Sequence, residues 1–569
     1  MIDYRHGRRP LHEYLRLHAR ATPDKTAIVW YGRRISYAEL DTLSDRFAQS
    51  LRAHGLAQGD VVALFLHNCP DYLIAHFGAQ KLGAVVSPCN PHAHALELRR
   101  QLSELGARAV VAGEELLDVA REAGALDGGG LLYAVRYSDR LPGVLAMDLP
   151  DGLPLPGDRH PEWPAGTLSL REALAQAGPF EPVDDLALDE VALMAYTTGT
   201  TGLPKAALLS YECALYKTAV SAEGFRLGAD DVMLADVPLH HISGMITGLD
   251  LPIYCGCTVV LLHRFDATAV LQAIEACHVT WWYTMAPSLL SVMACEDASS
   301  YDLRSLRATI STSFGVKLSE SLARRWSRFA NGCLVHEAGY GLSETHTCDT
   351  LMPPDAIRWG TNGRPVPGVR IHIIDPDTGV ELPVGSPGEI VVCSPVPFKG
   401  YWLRPEATRA VAWGGGVRTG DIGVLDADGY LTFLGRCKEM IKVWSYSVFP
   451  EEVEAILATH PDVRQAAVVG LPDPDRGEAL QAYVVLKDAA AARVCLDGAG
   501  RPRDRADQKM IEWCLRRMSH YKVPRSIIFR EGLPSADNGK LMRRMLREPV
   551  GVPMAGAAAP PGARPGKLM

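Results

Sequence analysis

The chain has 569 residues, 47% of them hydrophobic and 22% charged, so it is long enough for several domains with a large buried core. Its formal net charge of −8 provides no overall basic surface for nucleic acid or an anionic membrane. The 13 cysteines form no CxxC pair, which is typical of free thiols in a reducing compartment. We find neither a secretory signal nor a run of about 18 apolar residues. These features predict a soluble, multi-domain, cytoplasmic protein that binds neither nucleic acid nor membranes.

The N-terminal part of the chain alternates between helical and extended patterns. Ser36 precedes apolar residues at helical spacing that end near Gly55, and an apolar strand is predicted over residues 60–68. Residues 71–90 predict a helix that leads into another strand. Such alternation favours an α/β domain with a largely parallel sheet. Residues 123–182 are rich in Gly, Pro and Asp and predict a long irregular connection.

The pattern changes in the C-terminal part of the chain. Residues 369–435 contain short strands separated by turn signals, and residues 450–488 predict a compact α+β unit. The final residues, 548–569, are rich in Ala, Gly and Pro and lack periodicity, which predicts a disordered tail.

The most informative segment is rich in Thr and Gly and lies between Tyr196 and Tyr211. Glycines let backbone amides converge on an anion, threonine hydroxyls add donors, and a lysine supplies positive charge. We therefore predict a polyphosphate-binding loop made of Thr197, Thr198, Gly199, Thr200, Thr201, Gly202 and Lys205. The sequence lacks both a Walker A motif and a GxGxxG motif. A solvated turn between a strand and a helix is the alternative.

This loop resembles the signature of the adenylate-forming superfamily, which comprises acyl-CoA synthetases, peptide-synthetase adenylation domains and beetle luciferases. The resemblance extends in the same order from about Leu11 to Arg547. It includes the motifs VPLHHISG (237–244), GYGLSET (339–345), RTGDIG (418–423), GRCKEMIK (435–442) and LPSADNGKLMRR (533–544). The pattern is most similar to that of the AMP-forming acyl-CoA synthetases.

The resemblance implies an α/β protein in two parts. A large N-terminal domain of residues 1–434, with two α/β subdomains and a β-rich subdomain, would bind ATP and the acid. A small, mobile α+β lid of residues 439–547 would follow. Residues 435–438 would form the hinge, with Lys438 as the hinge residue, and closure would change the adenylation geometry into the transfer geometry.

The resemblance also assigns residues to Mg·ATP. Asp421 would accept hydrogen bonds from the ribose hydroxyls, and Arg436 would reach the ribose or a phosphate. The other ATP-binding residues implied are Gly339, Tyr340, Gly341, Ser343 and Lys540, with Tyr340 and Gly341 on the adenine face. Glu344, with Thr197, would hold Mg²⁺, which prefers hard oxygen ligands together with substrate phosphates. Without the surrounding motifs, an Asx turn for Asp421 and surface charges for Arg436 and Glu344 are the alternatives.

Lys540 follows Gly539 in a polar turn, where most lysines are only solvated. In the family, the lysine of this motif enters the site and bridges the attacking carboxylate and the α-phosphate. A cation is needed there because two anions approach each other and negative charge accumulates on the transferring group. Lys442 lies where some members place a lysine that is used in the second step.

The acyl pocket is implied by two further segments. His241 lies where the family has an aromatic residue or His that lines and gates the acyl channel, while His240 either joins that pocket or is a core histidine. Phe314, beside Gly315, either projects into the pocket or packs in the core. The HHIS sequence replaces the Asp with which peptide-synthetase domains hold an α-ammonium group, which argues against an α-amino acid substrate.

The sequence departs from the family pattern at three places. Ala206 replaces a Gly and Ser343 replaces a Thr, and both changes leave the expected chemistry possible. Trp444 and Ser445 replace a small residue and a Gly in the loop that lines the pantetheine tunnel of CoA ligases. A side chain at a position suited to positive φ costs of order 1 kcal/mol, and the bulk of Trp444 would narrow the tunnel. The family therefore implies CoA as the acceptor, whereas these two residues call CoA into question.

The leading hypothesis is an AMP-forming acid–CoA ligase that uses ATP, Mg²⁺ and CoA and acts on a small-molecule acid. The second hypothesis keeps adenylation but transfers to an amine or a carrier-protein thiol, or activates nitrite for diazotisation of an aryl amine. A non-catalytic nucleotide-binding protein is the third. It is disfavoured because Lys540, Glu344, Asp421 and Arg436 are all present. No oligomeric state is predicted.

Overall fold

The computed structural model describes residues 2–155, 158, 162–183, 186–197, 204–313, 316–437, 439–443, 446–473, 477–487, 505–535 and 541–547. The chain divides into two compact units, residues 1–438 and 439–569, and each is described by itself. The segment 548–569, predicted to be a disordered tail, lies outside the described residues.

The first unit contains a seven-stranded sheet built from its N-terminal half, called here the first sheet. Neighbouring strands are parallel except at one edge, where the last pair is antiparallel. In order across the sheet the strands are Thr167–Ser169, Leu131–Val135, Ala107–Gly113, Val61–Phe65, Val85–Pro88, Val191–Thr197 and Lys205–Ser210.

A second seven-stranded sheet, the second sheet, follows the same plan. It is parallel except for an antiparallel pair at one edge. Its strands, in order, are Val335–Glu337, Ala308–Thr312, Trp281–Met285, Val232–Ala235, Thr258–Leu261, Thr26–Trp30 and Arg33–Ser36. The central strands of both sheets are almost wholly apolar because parallel sheets are covered on both faces.

The strands are connected by helices that share a large apolar core with both sheets. The α-helices of the first unit are Leu11–Ala21, Tyr37–Ala53, Pro70–Lys81, Ala95–Leu105, Leu117–Glu122, Leu170–Gln176, Tyr211–Gly224, Ile242–Met245, Leu251–Cys255, Ala267–Cys277, Ala286–Met293, Glu320–Phe329 and Pro405–Val411. None of the helices in the described ranges is long and apolar enough to cross a membrane.

The helix predicted behind Ser36 is confirmed, because Ser36 Oγ accepts a hydrogen bond from the backbone N–H of Glu39 at 3.1 Å and the helix spans Tyr37–Ala53. The irregular connection predicted over residues 123–182 is wrong in part. It contains two strands of the first sheet, Leu131–Val135 and Thr167–Ser169, and the helix Leu170–Gln176. The buried LLYAV run forms a strand because it pairs with the neighbouring strand, whereas the Gly- and Pro-rich flanks dominate the local sequence pattern.

The β-rich part of the first unit contains two smaller sheets. A three-stranded sheet contains Gly339–Tyr340, Thr350–Leu351 and Arg364–Pro365. A five-stranded antiparallel sheet contains Arg370–Ile374, Gly388–Cys393, Ala412–Trp413, Gly416–Leu425 and Leu431–Arg436. Short strands were predicted for this part of the chain, and the five-stranded sheet confirms that prediction.

The second unit is a small α+β fold with an apolar core of its own. Its sheet contains Tyr446–Val448, Ile441–Val443, Gly477–Leu486, Val463–Asp473 and Ser526–Phe529, of which the last pairs in parallel with Gly477–Leu486. The helices among its described residues are Pro450–Leu457, Ala506–Leu515 and Arg544–Arg547. The predicted fold class, two α/β subdomains with a β-rich subdomain and a small α+β unit, is confirmed.

Candidate nucleotide and acid site

The ends of the predicted phosphate loop lie together at the edge of the first sheet. Thr197 ends one strand, Lys205 begins the next, and the two residues are register partners across the antiparallel pair. In open α/β sheets, ligands bind beyond the carboxyl ends of the parallel strands. Thr197 is the carboxyl end of a strand that pairs in parallel with Val85–Pro88. The residues between them that were predicted to bind phosphate, Thr198, Gly199, Thr200, Thr201 and Gly202, lie outside the described residues.

Lys205 and Glu344 are connected by Tyr401, a residue that the sequence analysis did not single out. The Tyr401 hydroxyl donates to Glu344 Oε1 at 2.7 Å, and Lys205 Nζ lies 4.3 Å from the centre of the Tyr401 ring. Burial, together with the nearby Glu344 carboxylate, raises the pKa of Tyr401 above its ordinary value, so the hydroxyl keeps its proton and acts as the donor. Tyr401 is held in place by a β-bridge to Ala207 in the strand that begins at Lys205.

The segment around Gly339 and Gly341 has no room for side chains at these two positions. A Cβ on Gly339, where φ is +148°, would lie 2.0 Å from the carbonyl oxygen of Thr350, and a Cβ on Gly341 would lie 2.5 Å from the backbone nitrogen of Cys348. The short helix Ser343–Thr345 that follows contacts both strands flanking the predicted phosphate loop. Ser343 and Glu344 therefore lie against the two strands that flank the predicted phosphate loop.

Asp421 is the centre of a second polar group. Its side chain is buried, and it accepts a hydrogen bond from the Tyr340 hydroxyl at 2.7 Å and pairs with Arg436 Nη1 at 2.8 Å. Asp421 and Arg436 are register partners on adjacent strands, which fixes their separation. Burial, with the Asp421 charge, raises the pKa of Tyr340 well above its ordinary value. The structure therefore brings together three residues that the sequence assigned to one nucleotide.

The predicted role of Asp421 in ATP binding can be tested by substitution. We expect Asp421→Asn to raise the KM for ATP about 10- to 100-fold, because hydrogen bonds to a charged group contribute about 1.5–3 kcal/mol and the amide keeps the size but not the charge. Pyrophosphate release at varied ATP concentration measures the change. Asp428→Asn is the matched control, since Asp428 is an exposed partner of Arg358 in the turn between the strands that carry Asp421 and Arg436. A KM for ATP that is equal in both variants would remove Asp421 from the nucleotide site.

The two histidines predicted for the acyl pocket lie side by side, with ring centres 4.4 Å apart. His241 immediately precedes the short helix Ile242–Met245, and its carbonyl accepts the backbone N–H of Met245 at 2.8 Å. Burial lowers the pKa of His240 well below its ordinary value, so His240 is neutral at physiological pH. Phe314 and Gly315, the other residues predicted for this pocket, lie outside the described residues.

Glu337 is a buried acid, bonded to Ser313, that the sequence analysis missed. It ends the strand Val335–Glu337, is only 7% exposed, and accepts hydrogen bonds from the Ser313 backbone N–H, at 3.3 Å, and from the Ser313 hydroxyl. Burial raises the pKa of Glu337 to about 7. The only sequence signal is one Glu at the carboxyl end of a short apolar strand, and its burial depends on packing. A carboxyl group with a pKa near 7 in this position is a functional-site candidate.

The raised pKa of Glu337 makes stability depend on pH. The folded state holds this proton up to about pH 7, whereas a free Glu loses it near pH 4.5. The free energy of unfolding therefore decreases as the pH rises from about 4.5 to about 7. We expect Glu337→Gln to keep the Ser313 contacts. The free energy of unfolding of this variant minus that of the wild type should be larger at pH 8 than at pH 4.5, by up to roughly 3 kcal/mol. Thermal unfolding at both pH values measures this gain. If the difference in Tm between Glu337→Gln and the wild type were the same at both pH values, the buried, protonated carboxyl would be contradicted.

The structure describes the remaining predicted residues only in part. Lys442 lies in the strand Ile441–Val443 and is the register partner of Ser447, but its side chain lies outside the described residues. Lys438, Trp444, Ser445 and Lys540 also lie outside them. Their roles as hinge, acceptor tunnel and catalytic lysine stay predictions.

The predicted magnesium ligands fit an ion that is bound together with ATP. Across the described part of the chain, no cluster of three or more His, Cys, Asp or Glu side chains could hold a metal ion. Mg²⁺ usually keeps several waters and takes one or two carboxylates plus substrate phosphates, so a dedicated protein cage is not required. Glu344 lies in a short helix that contacts the strand ending at Thr197, which suits such a shared site.

Two largely parallel sheets, a β-rich part and a separate α+β unit define the architecture of an adenylate-forming enzyme. Residues 15–402 match the family model of the AMP-binding enzymes, and residues 452–540 match the model of the AMP-binding enzyme C-terminal domain. The chain therefore belongs to the AMP-binding enzyme family, as its motifs predicted, and it is an AMP-forming ligase.

Individual relatives match this chain over almost its whole length. The chain is 31% identical to 4-coumarate–CoA ligase-like 9 of Oryza sativa subsp. japonica, covering 93% of this chain and 91% of that one. It is 30% identical to a long-chain-fatty-acid–CoA ligase of Bacillus subtilis, covering 92% of each. The crystal structure of ATP-bound MatB from Rhodopseudomonas palustris superimposes with a TM-score of 0.78 at 27% identity, covering 94% of this chain and 98% of that one.

Proposed function

We propose that this enzyme activates a carboxylic acid with ATP and Mg²⁺, releases pyrophosphate, and transfers the acyl group to CoA. The observation that carries the proposal is the contact of Lys205 and Glu344 with one side chain, Tyr401. This contact joins the cation of the phosphate loop to the carboxylate proposed to hold Mg²⁺. The names of the relatives, two CoA ligases and an ATP-bound enzyme, support ATP and CoA as the substrates.

In the first half-reaction, a carboxylate oxygen of the acid attacks the α-phosphorus of ATP. The new P–O bond forms as the bond to pyrophosphate breaks, and pyrophosphate leaves with the electron pair. Lys205 and the phosphate loop bind the phosphates, Asp421 and Arg436 hold the ribose side, and Lys540 bridges the attacking carboxylate and the α-phosphate. Glu344 and Thr197 would hold Mg²⁺, which would neutralise charge on the phosphates when it is bound.

In the second half-reaction, the CoA thiol loses its proton to solvent, the resulting thiolate attacks the acyl carbon, and AMP leaves with the electrons of the cleaved C–O bond. The second unit rotates about Lys438 between the two steps, and His241 lines the path to the acyl carbon. Lys442 is proposed to act in this step. A two-step scheme of this kind predicts that acyl-AMP accumulates when CoA is omitted.

The test is a pyrophosphate-release screen across aliphatic, aryl and inorganic acids, each with and without CoA. We expect at least one carboxylic acid to stimulate pyrophosphate release and to yield a thioester when CoA is present. Stimulation by a carboxylic acid with no thioester under any condition would refute the transfer to CoA. Failure of every acid to stimulate release would refute the adenylation proposal itself.

A second candidate function keeps adenylation and changes the acceptor to an amine or a carrier-protein thiol, or the activated acid to nitrite. The observation that favours it is the Trp444–Ser445 pair in the segment proposed to line the pantetheine tunnel. If this pair blocks CoA, Trp444→Gly/Ser445→Gly should gain CoA transfer. Efficient thioester formation by the wild type, with no gain in the double variant, would eliminate this candidate.

A further inference from the structure

Five histidines from four connections gather where the carboxyl ends of the two large sheets meet. His67 follows Val61–Phe65 and His92 follows Val85–Pro88 in the first sheet, whereas His263 follows Thr258–Leu261 in the second sheet. The ring centres of His67 and His92 are 5.3 Å apart, and those of His67 and His263 are 4.9 Å apart. The adjacent pair His240 and His241, which follows Val232–Ala235, completes this histidine cluster.

The backbone that carries the histidine cluster is fixed by one buried side chain. Asn68 Nδ2 donates to the carbonyls of Val237, at 3.1 Å, and Leu262, at 3.2 Å, while its Oδ1 accepts the Leu239 N–H at 2.8 Å. His263 Nδ1 donates to the Asn68 carbonyl at 3.2 Å. Asn68 thus connects the segments that carry His67, the His240–His241 pair and His263.

Within the described part of the chain, one imidazole nitrogen of this cluster has no hydrogen-bond partner. His240 Nε2 is buried, and among the described residues nothing pairs with it. Burial lowers the pKa of His240 most, followed by the positive charge of His241 and then by those of His67 and His92. Buried polar atoms are nearly always hydrogen-bonded, and a neutral imidazole donates from one nitrogen and accepts at the other. An unpaired nitrogen among other histidines therefore points to a ligand atom that completes it.

We infer that the histidine cluster forms the polar end of the acid pocket and that His240 hydrogen-bonds a hydroxyl or amino group on the body of the acid. The enzyme accordingly prefers an acid with such a substituent to one with a bare hydrocarbon at the same place. This inference rests on the proposed function, because it places the acid next to His241. A hydrocarbon would leave Nε2 buried and unpaired, and sites built to pair a polar group discriminate against ligands that lack it.

The experiment compares size-matched aryl acids, 3-hydroxybenzoate with 3-methylbenzoate and 4-hydroxycinnamate with 4-methylcinnamate. Acid-dependent pyrophosphate release gives kcat/KM for each acid. We expect the wild type to prefer the hydroxyl acid of at least one pair by about tenfold or more. His240→Phe should abolish that preference, because the ring keeps its size and loses both nitrogens. His240→Gln should restore part of it.

The control is His372→Phe, a histidine on the β-rich sheet that pairs with Glu381 and should leave the preference unchanged. Equal kcat/KM values for the two acids of both pairs in the wild type, or a preference that survives in His240→Phe, would overturn the inference. If His240→Phe does not fold, the wild-type and His240→Gln ratios decide. Activity with methyl acids alone, or with none of these four acids while another acid of the pyrophosphate-release screen is active, would refute the histidine inference and leave adenylation standing. No activity with any acid of that screen would refute the proposed function as well.

Discussion

Lys540→Ala is expected to lower the rate of acyl-AMP formation about 100- to 1,000-fold, because removing one group that stabilises transition-state charge costs roughly 3–4 kcal/mol in comparable sites. The Kd for ATP should change much less, since the ammonium group acts on the carboxylate and phosphate as they approach each other. The expected result is therefore a loss of kcat, not a loss of nucleotide binding.

The described residues on either side of Lys540 indicate that this substitution leaves the second unit folded. Ser535 and Leu541 form an antiparallel bridge, and the Met542 N–H donates to the Pro534 carbonyl at 2.8 Å. Beyond them, Arg543 is buried. Its guanidinium is held by three carboxylates, those of Glu439, Glu451 and Glu454. These contacts are made by residues other than Lys540, so they persist in the variant.

Single-turnover pyrophosphate release measures the chemical step, and calorimetric titration with ATP measures binding. Lys487→Ala is the matched control, because Lys487 lies on the exposed surface of the same unit and donates to the Pro461 carbonyl at 2.7 Å. If Lys540→Ala retained the full rate of adenylation, the role of this lysine would be wrong. The hypothesis of a non-catalytic nucleotide-binding protein would then regain support.

The sequence predicted those parts of the fold and site that depend on local pattern. Ser36 marks a helix start because a capping hydroxyl acts within three residues, and the apolar run 60–68 contains the buried strand Val61–Phe65. Asp421 and Arg436 were identified because they lie in short motifs, and their pairing follows from two adjacent strands. The fold class followed from the order of the motifs along the chain.

Long-range contacts could not be predicted in this way. Tyr401 contacts Glu344 from 57 positions away, and no local pattern distinguishes it from other tyrosines. The burial of Glu337 depends on how Ser313, on a neighbouring strand connection, packs against it. The strand Leu131–Val135 is stabilised by pairing with the first sheet, although its flanking residues favour turns. Such features depend on tertiary packing, which the sequence alone leaves undetermined.

Lys217→Met is expected to destabilise the first unit by about 3–5 kcal/mol, because it leaves the Asp349 carboxylate buried without its cation. Both side chains are fully buried, and Lys217 Nζ pairs directly with Asp349. Burial raises the pKa of Asp349 even with Lys217 present to oppose the rise. Without that cation the carboxyl must be protonated in the folded state, so the loss of stability should grow as the pH rises above about 4.

The same pair connects the two halves of the proposed nucleotide site. Lys217 lies in the helix Tyr211–Gly224, which directly follows the strand that begins at Lys205. The Asp349 N–H donates to the Tyr340 carbonyl at 2.8 Å, and its carboxylate accepts from the Thr345 hydroxyl. Loss of the pair should therefore displace the residues on both sides of Glu344 and raise the KM for ATP as well as lower the Tm.

The decisive comparison is with Lys217→Met/Asp349→Leu, which removes both charges. Replacing a buried ion pair by apolar residues of similar volume is often neutral or stabilising, so the double variant should recover most of the lost stability. Lys399→Met is the control, because Lys399 pairs with Asp189 on the surface and should contribute less than about 1 kcal/mol. Thermal unfolding at pH 6 and pH 8 measures all three variants. A double variant as unstable as Lys217→Met would show that the shape of the lysine, not the unpaired carboxylate, determines the loss.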